Sequence, residues 1–141
     1  MELPKRKNNR LKDYDYSSAG VYFITICSKD RKPVFSKIVG DGDHDVPRIF
    51  LYRYGEIIEK NLECMNRVYD YIKIDKYVIM PNHIHVLMSV YNSGMSKSPS
   101  PTNETIPSFV STFKRFVNKE ALKIFFSVHI TTILYVMNAI I

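Results

Sequence analysis

The sequence predicts an α+β fold in which helices cover one face of an antiparallel sheet. Dense runs of β-branched and aromatic residues alternate with two segments whose apolar residues recur at helical intervals. Their order along the chain is strand, two short strands, helix, two strands and helix. A proline-containing turn separates the last pair of strands.

The first strand is expected over residues 20–27, which read Gly-Val-Tyr-Phe-Ile-Thr-Ile-Cys. β-Branched and aromatic side chains at this density favour a pleated, buried segment. Small residues precede the run and charged residues follow it. We therefore predict a central strand.

Residues 34–39 and 46–51 are shorter apolar runs on either side of the acidic segment 40–45. Their spacing predicts a hairpin or a loop with irregular edges. The acidic segment lacks the ordered ligand spacing of a calcium loop, so a solvated turn is favoured over a cation site.

An amphipathic helix is expected next, because apolar residues recur at helical intervals while Glu, Lys and Arg occupy the remaining faces. We predict that its apolar face packs on the sheet. That face consists of Ile57, Ile58, Leu62, Met65 and Val68.

Two further strands are predicted over residues 71–79 and 83–88. Residues 80–82 form the turn between them, since Pro81 interrupts strand pairing. Residues 92–105, rich in Ser, Pro, Asn and Thr, predict a flexible connection.

A second helix is expected to begin at residues 106–108, where Pro107 suits a first helical turn. Lys114, Arg115 and Lys119 lie on the face opposite the apolar series. That apolar series is Phe109, Val110, Phe113, Phe116 and Val117.

The composition fits one compact domain, because 141 residues normally bury a single core. Lys and Arg number 20 against 14 Asp and Glu, and the net charge of +6 favours polyanionic partners such as nucleic acid. Cys27 and Cys64 have neither metal-knuckle nor disulfide-rich spacing, so we expect packing residues in a reducing cytoplasm. The polar, basic residues 1–10 do not resemble a secretory signal.

His83 and His85 are separated by one residue in a predicted strand, so both imidazoles face one side of the sheet. Two converging imidazoles can share a divalent cation, which would polarise a phosphodiester oxygen and orient the scissile bond for in-line attack. A third protein ligand is normally required, and the sequence does not identify it. For an isolated His-x-His pair, hydrogen-bonded histidines on the sheet surface are the more common alternative.

The residues around the pair resemble the HUH motif of the single-tyrosine transposases, in particular the REP-associated tyrosine transposases. Further similarity lies in residues 10–16 and 20–27, and in residues 106–110 and 113–117, so the resemblance covers about residues 6–122. The motif itself reads Met80-Pro81-Asn82-His83-Ile84-His85-Val86-Leu87-Met88.

The resemblance implies a ferredoxin-like or RRM-like palm that acts as a homodimer on single-stranded hairpin DNA with Mg²⁺ or Mn²⁺. His83 and His85 match the family's metal ligands. Lys114 and Arg115 lie on the helix where contact with the DNA backbone is expected, although a solvated helix face is an equal alternative. The implied function is DNA transposition by a cytoplasmic, nucleoid-associated enzyme without a membrane partner.

Three parts of the chain are expected: a basic arm over residues 1–16, the palm over 17–122 and an apolar tail over 123–141. The arm is either solvated or lies along phosphates, and Lys7 and Arg10 are its candidate DNA contacts.

Two other functions stay open. The chain could be a catalytically inactive, DNA-binding remnant of such a transposase. A weaker alternative is an unrelated RRM-like RNA-binding module in which Tyr22 or Phe23 stacks on bases, and strand alternation lets only one of these neighbours face outward.

The tail departs from the family's pattern. The family's chemistry needs a tyrosine that attacks a DNA phosphate and forms a 5′-phosphotyrosine. Its helix, expected downstream of the second predicted helix, is not recognisable in the uncharged residues 124–141. Of the ten tyrosines, Tyr135 lies in this tail and the others are interpreted as packing or DNA-stacking residues.

A shifted reading frame takes the last base of each codon together with the first two bases of the next codon. In that frame, codons for residues 127–139 permit the sequence Ser or Arg, Ser, Tyr, Tyr, Asp, His, Ile, Ile, Arg, Asn, Glu, Arg. This sequence resembles the family's tyrosine segment. Met137 followed by Asn138 forces the Glu. The hypothesis is a frameshift near Phe125 or Phe126, and coding DNA that does not spell this motif would refute it. A membrane anchor and a buried terminal strand are the alternatives.

Overall fold

The computed structural model describes Tyr16, residues 18–40, Gly42, residues 46–91 and 105–123, and two short strands further along. The helices are α1 (Arg53–Val68) and α2 (Thr105–Leu122), and the 3-10 turn Lys29–Arg31 follows the first strand. The strands are β1 (Gly20–Ser28), β2 (Ser36–Val39), β3 (Arg48–Leu51), β4 (Ile72–Ile79), β5 (His83–Val90), β6 (Ile130–Thr131) and β7 (Met137–Asn138).

The main sheet is antiparallel, with its strands in the order β4, β5, β1 and β6, and β7 also pairs with β1. β1 and β5 pair continuously from Gly20 opposite Val90 to Cys27 opposite His83. Because β5 occupies one edge of β1, both β6 and β7 lie on its other edge. Apart from the β2–β3 hairpin, the chain follows the strand, helix, two strands, helix, strand order of ferredoxin-like folds.

Both helices pack on the same face of this sheet. Along β5, side chains alternate between buried and partly exposed, and Ile84 and Val86 lie on the buried face. They join one apolar cluster with Leu62 of α1 and Phe113 of α2. Burial of each such side chain contributes about 1.5–3 kcal/mol to the hydrophobic stabilisation. The predicted α+β fold, with an antiparallel sheet and helices on one face, is confirmed.

The helix boundaries differ from the predicted ones. α1 begins at Arg53, four residues before the first predicted apolar position, and its first turn buries Tyr54 and Gly55. Val68, predicted on the packing face, is 51% exposed at the last position of the helix. α2 begins at Thr105, which the composition had assigned to the preceding connection.

Of the two alternatives for the short apolar runs, a hairpin or a loop with irregular edges, the structure has the hairpin, since Ser36 lies opposite Leu51 in the β2–β3 pair. Its base is joined to the turn before β5. The Ser36 hydroxyl donates to the Ile79 carbonyl at 2.9 Å, and the Phe35 amide donates to the Pro81 carbonyl at 3.0 Å. Most of the acidic segment, residues 41 and 43–45, lies outside the described residues.

The basic arm falls almost entirely outside the described residues, and Lys7 and Arg10 are among those not described. Tyr16, its last residue, packs in the core, and its carbonyl accepts a hydrogen bond from the Ile106 amide at 3.4 Å. In the tail, residues 124–129, 132–136 and 139–141 also lie outside the described residues. Among the described tail residues, Lys123 follows α2, and Ile130, Thr131, Met137 and Asn138 extend the sheet as β6 and β7. Neither long helix of the described part of the chain has the length and apolar character needed to cross a membrane.

Candidate metal and nucleic-acid site

His83 and His85 lie together on the face of the sheet that the helices leave open. Both side chains are partly exposed, whereas Ile84 between them is fully buried on the helical face. The two rings meet edge to face, with centroids 4.7 Å apart, and their Nε2 atoms are 3.1 Å apart. The predicted convergence of the two imidazoles is thus present in the fold.

Asn82 determines which nitrogen of His83 carries the proton. Its Oδ1 lies 2.7 Å from His83 Nδ1, and its Nδ2 donates to the Arg31 carbonyl at 3.3 Å. An amide oxygen can only accept, so the bond requires a proton on His83 Nδ1. In the neutral ring, His83 Nε2 therefore presents a lone pair towards His85.

The main chain of this turn is fixed on both sides. The Met80 amide donates to the His83 carbonyl at 2.8 Å, and the Ser28 amide donates to the Asn82 carbonyl at 2.9 Å. These bonds join the turn to the end of β1. Asn82 consequently reaches His83 from a position that the backbone defines.

His85 has a partner on the neighbouring strand. Thr25 lies directly opposite it in the β1–β5 register, and Thr25 Oγ1 is 2.8 Å from His85 Nδ1. The ring of Phe23 also stacks on the His85 imidazole, with centroids 5.0 Å apart and planes 27° from parallel. A hydroxyl and an aromatic ring together hold His85 with its Nε2 directed at His83.

The electrostatic environment favours the neutral form of His83. Partial burial, the neighbouring His85 and the positive charge of Arg31 lower the pKa of His83 below its ordinary value. A neutral imidazole is the form that binds a metal ion.

The donor arrangement fits one shared cation. Two ligand atoms that bind an ion at about 2.1 Å and at right angles lie about 3.0 Å apart, close to the 3.1 Å between the two Nε2 atoms. Both Nδ1 atoms have polar partners, as is usual for histidines that bind metals. Among the residues that the structure describes, no further His, Cys, Asp or Glu completes a group of three possible ligands.

The predicted DNA contacts of α2 lie away from this pair. α2 packs on the helical face, whereas His83 and His85 lie on the open face. Burial lowers the pKa of Lys114, and the Arg115 guanidinium lies 5.5 Å from the centre of the Phe116 ring. A DNA strand that contacted both regions would have to pass around an edge of the sheet.

Several tyrosine hydroxyls of the palm are engaged on the helical side. Tyr54 donates to Asn118 at 3.4 Å and Tyr69 donates to Thr112 at 3.1 Å, both across to α2. Tyr77 donates to Glu59 of α1 at 3.1 Å. These contacts agree with structural roles for the three tyrosines.

Sequence reasoning missed the roles of Thr25 and Asn82, and it named Phe23 only as one of two candidates for base stacking, without its contact with His85. Asn82 is the neighbour of His83 in the chain, so the motif itself held the signal for it. Thr25 and Phe23 become neighbours of His85 only through the β1–β5 register, and no spacing in the sequence indicates that register.

No family model matches the chain. An uncharacterized protein of Haemophilus influenzae is 32% identical over 130 residues, and the match covers 84% of this chain and 69% of that protein. This chain belongs to the same family. Because that relative is uncharacterized, membership of the family does not by itself assign an activity.

The fold is similar to that of a solved tyrosine transposase. The structure of a REP-associated tyrosine transposase bound to a REP hairpin has a TM-score of 0.57 with this chain at 12% identity. The match covers 92% of this chain but only 61% of the transposase, so the chain spans about three fifths of its length. The resemblance drawn from the sequence is therefore confirmed at the level of the fold.

Proposed function

We propose that this chain binds single-stranded DNA that forms hairpins and holds Mg²⁺ or Mn²⁺ between His83 and His85, as the palm of a single-tyrosine transposase. The observation that carries the proposal is the 3.1 Å approach of the two Nε2 atoms while separate partners engage each Nδ1. The transposase fold, and the REP hairpin bound to the solved transposase, support a DNA partner. The proposed family role is DNA transposition.

Each residue of the site has a defined task in this proposal. His83 and His85 hold the cation, while Asn82 and Thr25 fix the ring orientations and leave both Nε2 atoms available. When bound, the cation supplies Lewis-acid polarisation of a phosphodiester oxygen.

Basic residues supply the attraction for the DNA backbone. The charge of Arg31 acts on His83, so the same charge also favours a phosphate beside the histidine pair. Lys114 and Arg115 on α2, and Lys7 and Arg10 in the arm, are proposed as further backbone contacts.

Strand transfer also needs a nucleophile, which is a tyrosine in the transposases that this chain resembles. The second candidate function is a catalytically inactive DNA-binding remnant. The observation that favours it is the uncharged segment 124–141, in which the family's tyrosine helix is not recognisable.

The test is incubation of the full chain with a labelled single-stranded DNA hairpin and Mn²⁺, followed by native and denaturing gels. Wild-type protein, His83→Ala, His85→Ala and the matched control His44→Ala are compared. We expect a native complex with wild-type protein. A separate Mn²⁺ titration should show weaker Mn²⁺ binding by the first two variants but not by the control.

The denaturing gel separates the two candidates. A covalent band that disappears in His83→Ala supports the active transposase, whereas retained binding without a band supports the remnant. A covalent band that persists in His83→Ala would exclude a metal-assisted mechanism. Absence of DNA binding, or tighter binding of the RNA version of the hairpin, would exclude both.

Homodimer formation and a cytoplasmic, nucleoid-associated location are further parts of the proposal. Light scattering after size exclusion, with and without the hairpin, measures the first. A mass of one chain under both conditions would contradict it.

A further inference from the structure

The open face of the sheet carries a small apolar surface beside the histidine pair. Phe23 of β1 and Leu87 of β5 are direct cross-strand partners, and both side chains are partly exposed. Cross-strand partners lie on the same face of a sheet. Val21, two residues before Phe23, is also partly exposed on this face.

The core determines which of the two neighbouring aromatic residues faces outward. Tyr22 is fully buried on the helical face, and its hydroxyl donates to the Ser18 carbonyl at 2.7 Å. Alternation along β1 then leaves Phe23 on the open face.

Phe23 already takes part in a stack. Its ring lies 5.0 Å from the His85 imidazole, with an interplanar angle of 27°. A flat ring placed on Phe23 would extend this stack away from His85. A nucleotide whose base stacked there would hold its backbone within reach of the histidine pair.

Positive charge borders this apolar surface. Lys76 of β4 pairs with Leu87, and Lys73 pairs with Ser89, so both lysines lie on the open face, where their side chains are exposed. Asp75 offsets part of this charge, because its Oδ1 lies 3.9 Å from Lys73 Nζ and its Oδ2 accepts from the Ser89 hydroxyl at 2.5 Å. An apolar, aromatic centre with a basic edge is complementary to an unpaired base and its phosphate.

We propose that Phe23 and Leu87 form a stacking subsite for one unpaired base of single-stranded DNA, next to the cation that His83 and His85 are proposed to hold. This inference rests on the proposed function and adds a requirement: the nucleotide beside the histidine pair must be unpaired, because a base inside a duplex cannot lie on Phe23.

The test uses two probes of equal length and charge, a labelled 12-mer of thymidine and a 12-mer without bases. Affinities of the full chain are measured for wild-type protein, Phe23→Leu, Phe23→Trp and Phe50→Leu. Phe50 is the matched control, since it is an exposed aromatic residue on the separate β2–β3 hairpin. Circular dichroism checks that each variant is folded.

We expect Phe23→Leu to weaken binding of the thymidine probe by about 5- to 150-fold more than it weakens binding of the base-free probe. Phe50→Leu should change neither affinity. Phe23→Trp should bind as wild type does, with indole fluorescence quenched by the thymidine probe alone.

The subsite would be overturned if Phe23→Leu lost the same affinity for both probes, or lost none. Because the wild type would still bind DNA, the proposed function would remain intact. An unquenched Phe23→Trp that binds the thymidine probe would also overturn the subsite. Failure of the wild type to bind the thymidine probe would overturn the subsite, whereas the proposed function is decided separately by the hairpin DNA.

Discussion

Asn82 links His83 to the loop after β1: its Oδ1 lies 2.7 Å from His83 Nδ1, while its Nδ2 donates to the Arg31 carbonyl. The second bond fixes the orientation of the amide, so the oxygen must face the imidazole. The tautomer of His83 is therefore set by a side chain that would not itself touch a metal ion.

Replacing Asn82 should weaken metal binding although both histidines remain. We expect Asn82→Ala to lower the Mn²⁺ affinity by about 10- to 100-fold, the usual effect of losing the partner of a metal-binding histidine. Asn82→Asp keeps an acceptor at Nδ1 and should retain most of the affinity. Mn²⁺ titration followed by electron paramagnetic resonance measures this, and equal affinities of wild type and Asn82→Ala would contradict it.

Thr25 should have a similar role towards His85. Thr25→Val preserves the shape of the side chain but leaves His85 Nδ1 without its 2.8 Å partner, whereas Thr25→Ser keeps the hydroxyl. We expect the valine variant to bind Mn²⁺ more weakly and to lose about 1–3 kcal/mol of unfolding free energy. Calorimetry and urea unfolding check the two effects, and a serine variant as impaired as the valine variant would refute the role of the hydroxyl.

Most secondary structure was predictable because it follows from local periodicity. Alternation along β5 predicted that His83 and His85 share a face, since neighbouring side chains of a strand point in opposite directions. The start of α1 was not predictable in this way. Tyr54 and Gly55 interrupt the aliphatic pattern, yet both are buried, and Gly55 is needed where the helix approaches the Phe35 carbonyl.

The site could be predicted only in part, because its partners come from different strands. Alternation showed that one of Tyr22 and Phe23 faces outward, but only the packed core shows that it is Phe23. The contact between Thr25 and His85 spans 60 positions of sequence and depends on the β1–β5 register. Composition and spacing do not contain that register.

The stability of the metal-free protein should depend on pH through His83. Burial, His85 and Arg31 lower the folded-state pKa of His83, so as pH falls below about 6.5 the unfolded chain takes up the proton first. The contribution of His83 is thus present above the unfolded pKa and is lost as pH falls towards the folded pKa. Urea unfolding at several pH values should show a shallower decline for His83→Gln than for wild type, and identical slopes would contradict the shift.

Salt dependence should separate the open face from the helical face as DNA contacts. Each phosphate contact on single-stranded DNA contributes about 0.7 to the slope of log affinity against log salt. We expect Lys76→Ala to reduce the slope by about this amount and Lys119→Ala, an exposed site on α2, to leave it unchanged. An unchanged slope for Lys76→Ala would exclude Lys76 as a phosphate contact. Lys114→Ala and Arg115→Ala test the predicted α2 contacts by the same measurement.

Gly55 should be required where α1 meets the base of the hairpin. A Cβ at this position would overlap the Phe35 carbonyl, and that carbonyl already accepts a hydrogen bond from the Tyr52 amide at 2.9 Å. An alanine in an open helical position stabilises a helix by up to about 1 kcal/mol relative to glycine. Here the backbone must shift instead, so we expect Gly55→Ala to lower the unfolding free energy by about 1–3 kcal/mol.

The control Glu63→Ala, on the exposed face of α1, should change the unfolding free energy by less than about 0.5 kcal/mol in the same urea titration. A more stable Gly55→Ala would show that helix propensity outweighs the overlap and that α1 can move away from Phe35.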